Sequence, residues 1–163
     1  MEAFYQTVAT FCFTLLGLWW GVVQTRRDEW LNDTQHRRMA YSVYLSFLIP
    51  GVMSLGSQLS GETRWVWQLV FLAASGFGVA ATLFFMQHTH EVVKQGWFVR
   101  RMRWAVILLY GLMAAFAIYP QAVNLLGLDL KPLQLEGLLL TLLVFLGVNM
   151  AWEFMAETKA HSH

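Results

Sequence analysis

Residues 3–23 read AFYQTVATFCFTLLGLWWGVV, and this stretch decides the fold. It carries no charge. It is long enough for a helix to cross the hydrocarbon core of a bilayer, which takes about 20 residues. At about 100° per residue, Ala3, Gln6, Thr7, Thr10, Thr14, Gly17, Gly21 and Gln24 share an arc of roughly 100°. Phe4, Phe11, Cys12, Phe13, Leu15, Leu16, Leu18, Trp19 and Trp20 take the other faces. The helix therefore has a small, polar stripe along its whole length and bulky apolar faces elsewhere.

Four more apolar runs follow, giving spans at about 3–23, 39–59, 65–86, 101–119 and 133–154. The fourth is short between Trp104 and Tyr119 and borrows Arg101–Arg103, whose long stems can snorkel to the interface. Composition agrees. Of 163 residues 57% are hydrophobic and 13% charged, and the mean hydropathy is +0.47. Soluble domains carry about 25% charged residues, so the main solvent here is lipid. The sequence predicts an all-α membrane protein, a bundle of five transmembrane helices forming a single integral membrane domain over residues 1–163.

Charge sets the expected orientation. Arg26, Arg27, Arg37 and Arg38 lie between the first two spans, Lys94, Arg100, Arg101 and Arg103 between the third and fourth, and Lys159 after the fifth. Of the 11 lysines and arginines only Arg64 and Lys131 fall on the other side. Basic residues in short loops stay cytoplasmic, so the N-terminus is expected outside and the C-terminus inside. An odd number of spans lets both hold. The expected location is a bacterial-type inner or plasma membrane, multi-pass. Glu2 is the only charge before the first run, so no cleavable signal peptide is expected. Phe4, Tyr5, Trp65, Trp67 and Tyr119 at one end, and Trp30, Tyr41, Tyr44, Trp97, Trp104 and Trp152 at the other, read as interfacial aromatic belts. The loop over 121–132 reads as a surface-lying segment.

Several features could carry function. On the first span, Gly17 and Gly21 form a GxxxG spacing that permits close helix approach in lipid. Packing within the chain is the plainer use of that stripe; a polar path or a subunit seam is the sharper one. On the second span Ser42, Ser46, Ser54, Ser57 and Ser60 share an arc of about 120° with Pro50. Proline frees the carbonyl one turn earlier, near Ser46. Freed carbonyls and hydroxyls can coordinate a dehydrated cation or hold water, or satisfy one another in a kinked helix. The two stripes are expected to face each other within the chain or to surround a shared axis. Small residues over 73–81 place the third span in the middle of the bundle, with neighbours all around.

Ionisable groups at membrane depth are few. Glu136 and Glu153 read as interfacial, with Glu153 within reach of Arg26 or Arg38, and Asn149 reads as a hydrogen bond to a neighbouring helix. No span has a charge at its centre or a histidine, which argues against a proton pump and a buried bis-histidine haem. His88, His90 and Glu91 could bind a transition metal, but positions i and i+2 of a helix point apart, and a surface histidine pair is the plainer reading. Nothing calls for a cofactor, and scattered basic residues leave no nucleic-acid surface.

The leading expectation is a homo-oligomeric pore or permeation protein lined by the stripes of the first two spans. Arg26, Arg27, Arg37 and Arg38 would give it a positive inner vestibule. The alternative is an accessory or assembly subunit of a larger membrane complex, with other membrane subunits as partners and no activity of its own. An enzyme on lipid substrates using His88, His90 and Glu91 comes last; the balance leans against catalysis.

Overall fold

The computed structural model describes residues 2–30, 34–59, 63–87, 97–121 and 132–160, all in helices or their immediate caps. The helices are α1 (Glu2–Thr25), the short α2 (Arg27–Trp30), α3 (Thr34–Leu59), α4 (Arg64–Gln87), α5 (Trp97–Ile118) and α6 (Pro132–Ala160). Five of them are long and apolar enough to cross a membrane. The fourth is Arg101–Ile118, which includes Arg101–Arg103 as expected, within a helix that is continuous from Trp97.

The long helices alternate in direction along the chain. Trp19 of α1 donates its indole N–H to the Ala40 carbonyl of α3 at 3.1 Å. Farther along the same pair, a Cβ at Gly51 would sit 3.3 Å from Cys12, so α1 and α3 are antiparallel. Gln68 of α4 reaches the Ala117 carbonyl of α5 at 3.0 Å, and Gly78 meets Tyr110, so that pair is antiparallel too. α6 runs parallel to α1: Tyr5 donates to the Leu133 carbonyl at 2.6 Å, Phe4 covers Gly137, and Trp19 packs on Phe154. The ring α1–α3–α4–α5–α6 closes on itself, and α3 also touches α6 across it.

This topology moves the centre. α3 is the most enclosed helix, whereas α4 touches chiefly α3 and α5 and is largely exposed. The expectation of a central third span is corrected: Ala73, Gly76, Phe77 and Ala80 face outward, while Ser75 is buried, Gly78 meets Tyr110 and Gly56 of α3 meets Val70. A helix on the edge of a five-membered ring has only two flanks to fill.

Two apolar clusters hold the ring. One is built from Tyr5, Met53, Phe71, Met113, Leu140 and their neighbours. The other, at the opposite end, gathers Trp19, Trp30, Ala40, Val43, Phe47, Ala151 and Phe154. α2 exists to deliver Trp30, which is 1% exposed and lies 4.6 Å from Phe154 and 5.9 Å from Trp19, ring to ring. The belts are thus only partly interfacial. Tyr5, Trp67 and Trp30 are core, while Trp65, Tyr119, Trp104, Trp152 and Tyr41 remain exposed. The surface segment expected over 121–132 falls mostly outside the described residues.

Candidate functional site: two polar layers inside the bundle

The two stripes do not meet. Every stripe position of α1 — Ala3, Gln6, Thr7, Thr10, Thr14, Gly17, Gly21 and Gln24 — is exposed, and α1 turns Tyr5, Ala9, Cys12 and Trp19 inward instead. Thr7, Thr10 and Thr14 donate to the carbonyls of Ala3, Gln6 and Thr10 at 2.8–2.9 Å. A threonine that bonds its own helix makes no demand for a polar partner. Nothing lies within 4 Å of a Cβ at Gly17 or Gly21. The plainer expectation, packing within the chain, is therefore corrected for this face.

The α3 stripe does the opposite and faces the interior. Ser54 and Ser57 are buried and Ser42 and Ser46 half-buried, Pro50 is buried too, and Gly51 beside it packs on Cys12 and Phe13 of α1. Ser60 falls outside the described residues. Ser46 spends its proton on the Val43 carbonyl at 2.7 Å. It sits against Gly147 of α6, where an added Cβ would come within 2.7 Å of its hydroxyl.

These serines belong to two layers. Toward the Trp30 end, a cleft of about 40 Å³ is lined by Ser42, Ser46, Thr82, Arg103 and Tyr110 among apolar neighbours. That is room for a few waters, since one needs roughly 10–15 Å³. At the other end Tyr5, Ser57 and Glu136 come together, the Ser57 hydroxyl and the Glu136 carboxyl both lying close to the Tyr5 phenol. Counting equally along the antiparallel α3 and α6 from the Ser46–Gly147 contact also brings Ser57 level with Glu136. Ser54 lies one turn deeper. Between the layers, Met53, Phe71, Met113 and Leu140, all 0% exposed, close the interior. Ser46 and Ser57 are roughly 16 Å apart along the axis at 1.5 Å per residue.

Glu136 is the residue the sequence misplaces. It is 0% exposed, and among the described residues neither carboxyl oxygen has a hydrogen-bond partner. The interfacial expectation is corrected: α6 lies beside α1, and Tyr5 and Phe4 cover its first turns. A carboxyl about one turn into a helix looks exposed until another helix covers it.

Asn149 donates to its own helix at Phe145, 2.8 Å away, rather than to a neighbour. Glu153 is half-buried beside Phe154. Of the inner-surface cations, Arg26 lies 5.9 Å from the Trp30 ring centre. Arg27 and Arg37 line a second cavity of about 260 Å³ with Gln24, Trp20, Tyr41 and Tyr44, while Arg38 is half-buried. His88, His90 and Glu91 lie outside the described residues. In comparisons with known protein families, with curated proteins and with solved structures, the chain matches none.

Proposed function

We propose that this chain is a small-ion permeation protein of the membrane, oriented N-out and C-in, whose path runs through the interior of each copy. What supports the reading is the inward turn of the α3 serines, which places their hydroxyls in two polar layers, a cleft shared with Arg103 and a buried layer shared with Glu136, with an apolar closure between them. Polar groups are costly at membrane depth, and where they are enclosed they mark ion and solute pathways. The shared-axis arrangement loses support because the α1 and α3 stripes point to opposite sides.

Liposomes holding sodium- and chloride-sensitive dyes test this. Flux above protein-free vesicles is expected, cut at least tenfold by Ser42→Leu, which fills the cleft mouth. Thr14→Leu, on the outward face of α1, is expected to leave it unchanged. Flux lost in Thr14→Leu and kept in Ser42→Leu would restore the shared axis; no response from either dye would remove permeation altogether.

The open α1 stripe supports a second element, association of this face with another helix, either a second copy or a different membrane subunit. Gly21→Leu meets empty space within the chain. It is therefore expected to leave the melting temperature of the isolated chain within about 2 °C, since open-surface changes cost little. The same substitution is expected to shift the purified protein from oligomer to monomer in mild detergent. Stoichiometric co-purification with other membrane chains, without flux, would favour the accessory-subunit reading.

A further inference from the structure

We infer that the layer formed by Glu136, Ser54, Ser57 and Tyr5 is a binding site for one small monovalent cation, Na⁺. Its oxygens decide it. Tyr5 has a single O–H and donates it to the Leu133 carbonyl at 2.6 Å, so that proton is not offered to Glu136. Lone pairs remain: the two carboxyl oxygens of Glu136 and the hydroxyl of Ser54, all enclosed and without a hydrogen-bond partner among the described residues, with the oxygens of Ser57 and Tyr5 beside them.

Buried acceptors left unpaired are costly. A proton on Glu136 would pair one carboxyl oxygen with a neighbouring hydroxyl and leave the other unanswered. A cation answers several at once. Its charge is fixed by the same inventory. One carboxylate cancels one positive charge, whereas a divalent ion would leave a net charge in a low-dielectric interior. Oxygen ligands without sulfur or imidazole select a hard ion. A carboxylate is a strong-field ligand, which repays the larger dehydration cost of the smaller alkali ion in an enclosed site. The site lies in the first turns of α6, but its support is the pair of enclosed, unpartnered side chains from two different helices and not the helix terminus.

Binding here does not require transport. A Na⁺ site without flux would stand while the permeation reading fell, and flux without a Na⁺ effect would do the reverse. The test is thermal unfolding of the purified chain in detergent at constant ionic strength, with Na⁺ exchanged for K⁺ or N-methylglucamine, alongside ²²Na⁺ equilibrium dialysis. For the wild type, Na⁺ at a hundredfold excess over Kd is expected to raise the melting temperature by about 5–10 °C, with K⁺ doing much less. Glu136→Gln is expected to abolish both the shift and the dialysis signal while melting no lower than the wild type in N-methylglucamine, which shows that it folds. Ser54→Ala, which removes one ligand, is expected to weaken Na⁺ binding about tenfold. Equal melting in all three cations, a Na⁺ shift surviving in Glu136→Gln, or stabilisation that follows pH alone would each overturn the site.

Discussion

Trp30→Ala is expected to destabilise the folded chain by about 3–5 kcal/mol, the range for deleting a large buried aromatic side chain. Trp30 is 1% exposed and packs against Phe154, Trp19 and the Arg26 guanidinium. It is the reason a four-residue helix between α1 and α3 is part of the core. Removing it strips one wall from a cluster to which α1, α3 and α6 all contribute. At about 2–4 °C per kcal/mol for a chain of this length, thermal unfolding in detergent should show a loss of roughly 6–20 °C. Trp30→Phe separates packing from polarity. The indole N–H of Trp30 has no partner among the described residues. Phenylalanine keeps most of the ring and discards the stranded donor, whose burial is itself unfavourable. That variant is expected to lose less than half as much as the alanine. If both variants melt with the wild type, the aromatic cluster does not hold this end of the bundle.

Gly78→Leu is the second large effect. The Cβ alone would come within 2.7 Å of the Tyr110 ring, which is 3% exposed and walled in by the core. A fixed ring cannot give way as a flexible chain end can, so α4 and α5 must separate. Overpacking typically costs about 1–3 kcal/mol and occasionally more, and the upper part of that range is expected here. Gly76→Leu is the matched control: its Cβ meets nothing within 4 Å. It should melt within about 2 °C of the wild type, since exposed substitutions fall within about 0.5 kcal/mol. Equal losses from the two would mean that α4 does not pack on α5 through this face.

The contrast between these glycines marks how far the sequence could be read. Length and apolarity locate helices because crossing hydrocarbon imposes both, and all five long helices are where apolar runs predict them. Facing is another matter. In water, an amphipathic stripe says which side is inside. In lipid, the bulky side of α1 suits either a neighbour or the acyl chains, and its threonines satisfy themselves on their own backbone. The stripe therefore carries no instruction, and Tyr5, Cys12 and Trp19 turned inward instead. The α3 serines did point to a polar interior. The partner opposite them, Glu136, was hidden by its nearness to Pro132, because only the parallel docking of α6 on α1 makes that depth buried. The one available hint was Tyr5, an amphipathic ring early in α1 with a hydroxyl that must find an acceptor once buried.

That same docking orders how the bundle can be made. α1 is synthesised before α6, yet Tyr5 rests on Leu133 and Phe4 on Gly137. Until α6 docks, the phenol of Tyr5 and the hydroxyls of Ser54 and Ser57 lack the wall that encloses them. The nascent chain must wait with an unsealed seam, and a chain arrested before Pro132 would present that seam to quality-control proteases and chaperones.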